Sequence, residues 1–156
     1  MNMKRLKKIL SLALLFSLVS LAGARRIGAA ELQSVQVTIG TILASNQNDE
    51  FDVKLKSMEK QLRVLKYRSY RLLKDETQNI PWRGNKSFEI PGGRSLTVAP
   101  QELQNDRISL KVRLTERNKP LLDTTVTVPN KGHFLYLGGP PHEGGTLVLS
   151  ISASAE

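Results

Sequence analysis

The chain has 156 residues, with 23 Lys+Arg against 14 Asp+Glu and no cysteine. That length suits one domain of ordinary size rather than a multidomain enzyme. The missing cysteines exclude disulfides, thiolate metal sites, cysteine nucleophiles and a lipidated N-terminal cysteine.

The net charge of +9 is unevenly spread. Six basic residues (Lys4, Arg5, Lys7, Lys8, Arg25, Arg26) lie within residues 1–30, which hold no acid, so the rest carries 17 basic groups against 14 acidic ones. An overall basicity of this kind is no footprint for nucleic acid, and none is expected as a partner. Lys4 to Lys8 form a basic head and Ile9 to Ala22 an apolar stretch broken only by serines. Fourteen residues fall short of the ~20 that a membrane-crossing helix needs. The order of basic, apolar and small-residue regions is that of a secretory signal over residues 1–30, against the alternative of an uncleaved membrane anchor. Ala22-Gly23-Ala24 and Gly28-Ala29-Ala30 both offer small residues for cleavage; the second is preferred because it leaves Glu31 at the new terminus. Arg25-Arg26 follows the apolar core, whereas a twin-arginine signal precedes it. The expected destination is across the cytoplasmic membrane, in the periplasm or outside, without a lipid anchor.

From residue 31 to residue 156 the pattern predicts a single β-dominated α+β domain. Val35, Val37 and Ile39 alternate with Gln36 and Thr38, which predicts a half-buried strand. Asn46 to Asp49 reads as a turn, with Asp49 and Asp52 resembling a capping box. Phe51, Leu55, Met58, Leu62 and Leu65 recur at 4-3-4-3 spacing, predicting a helix of about four turns that ends near Lys66. A strand is expected from Tyr67 to Lys74 and a turn-like stretch from Asp75 to Lys86. Phe88 and Ile90 precede a bend at Pro91-Gly92-Gly93, and Leu96 and Val98 follow it. Ile108, Leu110, Val112 and Leu114 give the cleanest alternation in the chain. After a turn at Asn118 to Pro120 come Thr124, Val126 and Val128, a hairpin turn at Pro129 to Gly132, and a strand from Phe134 to Leu137. A loop from Gly138 to Gly145 leads into the last strand, Leu147, Leu149 and Ile151. The arrangement is thus a β-α-β opening followed by about five mostly antiparallel strands.

Chemistry-bearing constellations are sparse. The only histidines, His133 and His142, could combine with Glu143 as metal ligands, but both fall at turns. No Gly-x-Ser-x-Gly elbow occurs, and the acids are scattered. The glycine-proline loop lacks the Gly-Lys-Ser/Thr ending of a phosphate loop and precedes a strand, not a helix. No catalytic residue, metal site or cofactor is therefore assigned. Between Lys54 and Lys74, eight basic residues accompany one acid, Glu59. A solvated face is the plain reading of such a run; the functional one is a surface for an anionic partner. Candidate contacts there are Lys56, Lys60, Arg63, Tyr67, Arg68, Tyr70 and Arg71. Trp82 with Arg83 offers a stacking platform, and Gly139, Pro140, Pro141 and His142 a loop suited to partner contact.

Leu96-Thr97-Val98-Ala99-Pro100 with Ile108-Ser109-Leu110-Lys111-Val112, and Thr125-Val126-Thr127-Val128-Pro129-Asn130-Lys131-Gly132 with Leu137-Gly138-Gly139, resemble strand and hairpin motifs of the secretin family over residues 95–140. Secretins are oligomeric outer-membrane channels of secretion and pilus systems, often with small α+β modules in the periplasm. The overall arrangement is also similar to small exported bacterial proteins. What the resemblance implies is a role in an envelope assembly. The expected function is therefore a non-enzymatic envelope module that docks on another protein, by complementary charge or by strand addition at a sheet edge. The alternative is a periplasmic binding module for an anionic glycan or lipid headgroup. The oligomeric state stays open.

Overall fold

The computed structural model describes residues 33–136 and 139–156, within one compact unit that spans Leu32–Glu156. The expected secretory signal and both cleavage positions lie outside the described residues, as do Leu137 and Gly138 of the secretin-like motif. Among the described residues no helix is long and apolar enough to cross a membrane.

The strands are β1 (Ser34–Ser45), β2 (Ser69–Pro81), β3 (Lys86–Ile90), β4 (Arg94–Gln104), β5 (Arg107–Glu116), β6 (Lys119–Pro129), β7 (Gly132–Tyr136), β8 (Pro141–His142) and β9 (Gly145–Ala155). They form two antiparallel sheets, one ordered β2-β1-β9-β7 with β8 also on β9, the other β3-β4-β5-β6. The sheets close on one another because each presents a row of alternating aliphatic side chains. Val35, Val37, Ile39, Leu149 and Ile151 from the first meet Phe88, Leu96, Val98, Leu110, Val112 and Val128 from the second in one buried cluster. Consecutive strands stay neighbours where the chain changes sheet, β2 beside β3 and β6 beside β7, and β9 returns to pair with β1.

A β-bulge decides how β2 serves two environments. Thr41 pairs with Lys74 and Ile42 with Leu72, so Leu73 is the extra residue. An extra residue reverses the alternation of a strand. Tyr70 and Leu72 before it face the outer side of the sheet, whereas Leu73 and Ile80 pack into the inter-sheet core. On that outer side lies a second cluster of Ile42, Ala44, Leu55, Leu62, Tyr70 and Val148. The segment between β1 and β2 covers it, so the C-terminal half of β1 is buried on both faces.

This cover is smaller than the expected helix. It is a 3-10 turn, Val53–Met58, running into α1, Glu59–Arg63. The three-residue step from Leu55 to Met58 suits the tighter 3-10 repeat, and the wider α turn then carries Leu62 inward. Phe51, counted as the first residue of the helical stripe, instead bridges to Tyr70. Capping also differs from expectation: Asp52 alone accepts from the Lys54 backbone N–H, while Asp49 binds Arg68. The chain is therefore strand-dominated, as expected, but mostly β; the helical element joins two antiparallel neighbours.

Three further boundaries move. Asp75 to Pro81 is strand rather than turn, because β1 begins at Ser34 and pairs with β2 as far as Pro81. Lys119 and Pro120 belong to β6, and the turn before it is Arg117-Asn118, both at positive φ. The Pro129–Gly132 turn does not close a ladder between its flanking strands: β6 pairs with β5, and β7 pairs with β9 in the other sheet.

Candidate functional site: a basic cover on the first sheet

The cover is held from both ends. The Asp52 carboxylate accepts from the backbone N–H groups of Lys54 and Leu72, and these bonds hold it below the usual carboxylate range. At the other end the Tyr70 hydroxyl donates to the Leu62 carbonyl of α1 and accepts from the Tyr67 N–H. Burial pushes the Tyr70 phenol up, so it stays a donor.

The exposed side of this cover carries the charge. Glu59 is gripped by Lys56 at 2.6 Å and by Arg63 at 2.9 Å, which lowers its pKa. Arg63 also lies over the Phe51 ring, 5.0 Å from its centroid. Arg68 makes a two-pronged contact with Asp49, 2.8 and 2.6 Å, lowering the carboxyl and raising the guanidinium. Lys74 pairs with Glu76 at 3.0 Å. Four of the eight cations are thus partnered, two by acids outside the basic run, while Lys54, Lys60, Lys66 and Arg71 stand outside the salt bridges among the described residues. Val53, next to Lys54, is 82% exposed, and Val64, two residues before Lys66, is 73% exposed. The sequence reading passed over both. Their signal was available: neither falls on the 4-3-4-3 stripe, so a helical cover has to turn them outward.

The remaining candidates divide by position. Tyr70 is fully buried and is no stacking surface; its ring packs edge-on against Phe51 and Tyr67. Tyr67 is half-buried and donates to Thr146 Oγ1 at 3.3 Å, joining the cover to the start of β9. That is where the glycine-proline loop ends. Arg71, exposed, and Glu143 line one polar recess of about 150 Å³. Within the expected loop, Pro141 and His142 form β8 on Thr146 and Gly145, turning through Glu143 and Gly144, both at positive φ. Gly139 and Pro140 are half-buried against β9, and the Pro140 carbonyl accepts from the Leu147 N–H at 3.0 Å. A Cβ on Gly139 would stand 1.7 Å from the Leu147 carbonyl oxygen, so this glycine is required by close backbone approach.

Trp82 and Arg83 lie elsewhere. They follow the end of β2 that pairs with Ser34, whereas the cover and the loop gather where β1 reaches Ala44. The eleven-residue rise between Ser34 and Ser45 separates the two ends by roughly 35 Å. Trp82 is half-buried against the inter-sheet core, and Arg83 is exposed at φ 61° with its N–H on the Pro100 carbonyl. The structure therefore joins the basic run to the glycine-proline loop and leaves Trp82–Arg83 apart. The two histidines also stand apart: His133 pairs with Ser152 and His142 with Gly145, seven residues along β9. At about 3.3 Å per residue they are too distant to ligate one ion.

One partly buried ion pair escaped the sequence reading. Arg94, whose side chain is 8% exposed, meets Glu116 at 3.0 Å and donates to the carbonyls of Pro91 and Pro141. It ties the start of β4 to β8 and so braces the loop from the second sheet.

These features define the class: an antiparallel β-sandwich bearing a short basic helical cover on one outer face. No family model, no curated protein and no solved structure matches the chain.

Proposed function

We propose that the protein is an exported docking module of the cell envelope, in which the basic cover and the adjoining loop bind an acidic surface of another envelope protein. One observation carries this reading. Val53 and Val64 are exposed on an element whose neighbouring cations, Lys54, Lys60 and Lys66, have no carboxylate partner among the described residues. Exposed aliphatic groups next to unpaired cations suit a partner that supplies acidic groups beside apolar ones. The order of basic, apolar and small-residue regions in residues 1–30 and the secretin-like motifs of residues 95–140 support the envelope setting. A second reading, an anionic lipid headgroup or glycan surface, is favoured by the same valines, because a lysine-rich ridge with aliphatic tips also suits a lipid boundary.

Cross-linking in intact cells distinguishes the two. The variant Lys54→Glu, Lys60→Glu, Lys66→Glu reverses the free charge without touching the Glu59 or Asp49 pairs. It is expected to fold normally and to lose a defined protein cross-link that the natural chain forms. Retention of that cross-link overturns the proposal. Salt-sensitive sedimentation with protein-free vesicles rich in phosphatidylglycerol, in place of a protein cross-link, establishes the second reading.

A further inference from the structure

The sheet edges are not treated alike. At β3, Gln78 of β2 donates to the Ser87 carbonyl at 3.2 Å, and Lys74 donates to the Glu89 carbonyl at 3.3 Å, so side chains occupy that edge. At the start of β2, the Tyr70 N–H donates to the Glu50 carbonyl and its carbonyl accepts from the Asp52 N–H. At β6, no backbone bond among the described residues reaches beyond β5. Thr124 is exposed although it shares the core-facing parity of Val126 and Val128, Leu122 is half-buried, and Leu121 is 42% exposed. An open edge of this kind offers its backbone groups to another strand.

We infer that β6 pairs with β6 of a second copy, antiparallel and about a two-fold axis through Thr124. The local sequence is suited to itself in that register. Residues of equal parity meet, so both inner faces stay on one side and the two four-stranded sheets become continuous. On the core side one row reads Leu110, Val126, then Leu122 and Leu114 of the second copy, four aliphatic side chains in line. The least covered core positions of each copy thereby gain an apolar neighbour. The outer side is complementary in charge. Lys111 pairs with Thr125 and Arg113 with Asp123 inside each copy. The row across the axis therefore runs Lys111, Thr125, then Asp123 and Arg113 of the second copy. Two strand spacings, about 10 Å, separate Lys111 from that aspartate, within reach of a lysine side chain extended over threonine. Each Asp123 already holds its own Arg113 at 3.0 Å, so the two aspartates near the axis do not meet as bare like charges. Pro120 and Pro129 bound the stretch, and the bulge at Leu121 ends its regular part, which confines pairing to Leu122–Val126.

The chain has no cysteine, so a single introduced thiol reports on this axis directly. Thr124→Cys places two thiols opposite each other across neighbouring strands, at a separation a disulfide spans. In the protein purified from the exported fraction, this variant is expected to form a covalent dimer under mild oxidation, whereas Thr77→Cys on the outer face of the other sheet is not. Sedimentation equilibrium of the natural protein is expected to give a reversible dimer. Thr124→Lys, which sets two like charges face to face, is expected to raise its dissociation constant at least about tenfold, with an unchanged melting curve at concentrations low enough that both proteins are monomeric. A natural protein that is monomeric at high micromolar concentration overturns the inference. So does a dimer indifferent to Thr124→Lys, or one in which Thr77→Cys cross-links as readily as Thr124→Cys.

Discussion

The Tyr70 hydroxyl donates to the Leu62 carbonyl at 2.5 Å, so a strand residue of the first sheet closes the C-terminal end of the helix that covers it. Both residues are fully buried. A helix of five residues cannot sustain itself on its own hydrogen bonds. The cover persists because Leu55 and Leu62 are buried beneath it and because its last carbonyls find partners.

Tyr70→Phe keeps the ring and removes that donor together with the acceptor for the Tyr67 N–H. The Leu62 carbonyl then lacks this partner, and the loss is expected to cost about 1–2 kcal/mol of unfolding free energy. Denaturant titration reads the global loss. Amide exchange at Leu65 and Lys66, whose N–H groups bond the Leu62 and Arg63 carbonyls, reads the local one and is expected to speed up most.

Arg94→Met keeps the aliphatic length but removes a guanidinium that serves the carbonyls of Pro91 and Pro141 and the Glu116 carboxylate. Leaving these partly buried acceptors without their donor is expected to destabilise the sandwich by about 1–2 kcal/mol. Because one contact reaches β8, the variant is also expected to raise protease sensitivity between Gly139 and Glu143. An unchanged midpoint in urea counts against the bracing role.

Gly139→Ala tests close approach rather than bonding. The added methyl collides with the Leu147 carbonyl, which belongs to backbone and cannot swing away. The expected outcome is displacement of Pro140 and loss of the Pro140–Leu147 bond, seen as faster exchange of the Leu147 amide. The inter-sheet core is expected to keep its protection.

Acid is expected to loosen the cover. Asp52 is held low by the Lys54 and Leu72 N–H groups, Glu59 by Lys56 and Arg63, and Asp49 by Arg68. A carboxyl with a lower pKa in the folded state stabilises it fully above the unfolded value, and that contribution vanishes as pH falls through the folded value. The melting temperature is therefore expected to decline between about pH 5 and pH 2, and to decline less steeply in Asp52→Asn. A flat profile over that window contradicts the assignment of these three groups.

The alternation of Ile108, Leu110, Val112 and Leu114 and that of Val35, Val37 and Ile39 was enough to predict buried strand faces, since a period of two leaves only one side for the core. Other local signals, proline with glycine and a count of charges, identified the bends at Pro91–Gly93 and Pro129–Gly132 and the eight-cation run. It failed where burial depends on what lies above the residue. Tyr70 sits amid basic residues and looks exposed in the chain, yet the bulge at Leu73 sets it beneath the cover. Arg94 follows two glycines and resembles a surface charge until β8 arrives from the other sheet with a carbonyl to receive it.

The chain by itself determined that this is a strand-rich domain with one concentrated basic segment, because periodicity and charge are properties of neighbours in sequence. Only the tertiary structure decided which cations are neutralised, that Trp82 follows the end of β2 opposite to Tyr70 and the cover, and that β6 is left with an open edge. Each of those depends on pairing between residues dozens of positions apart, and the energy of such a pairing is invisible until the two sheets have closed.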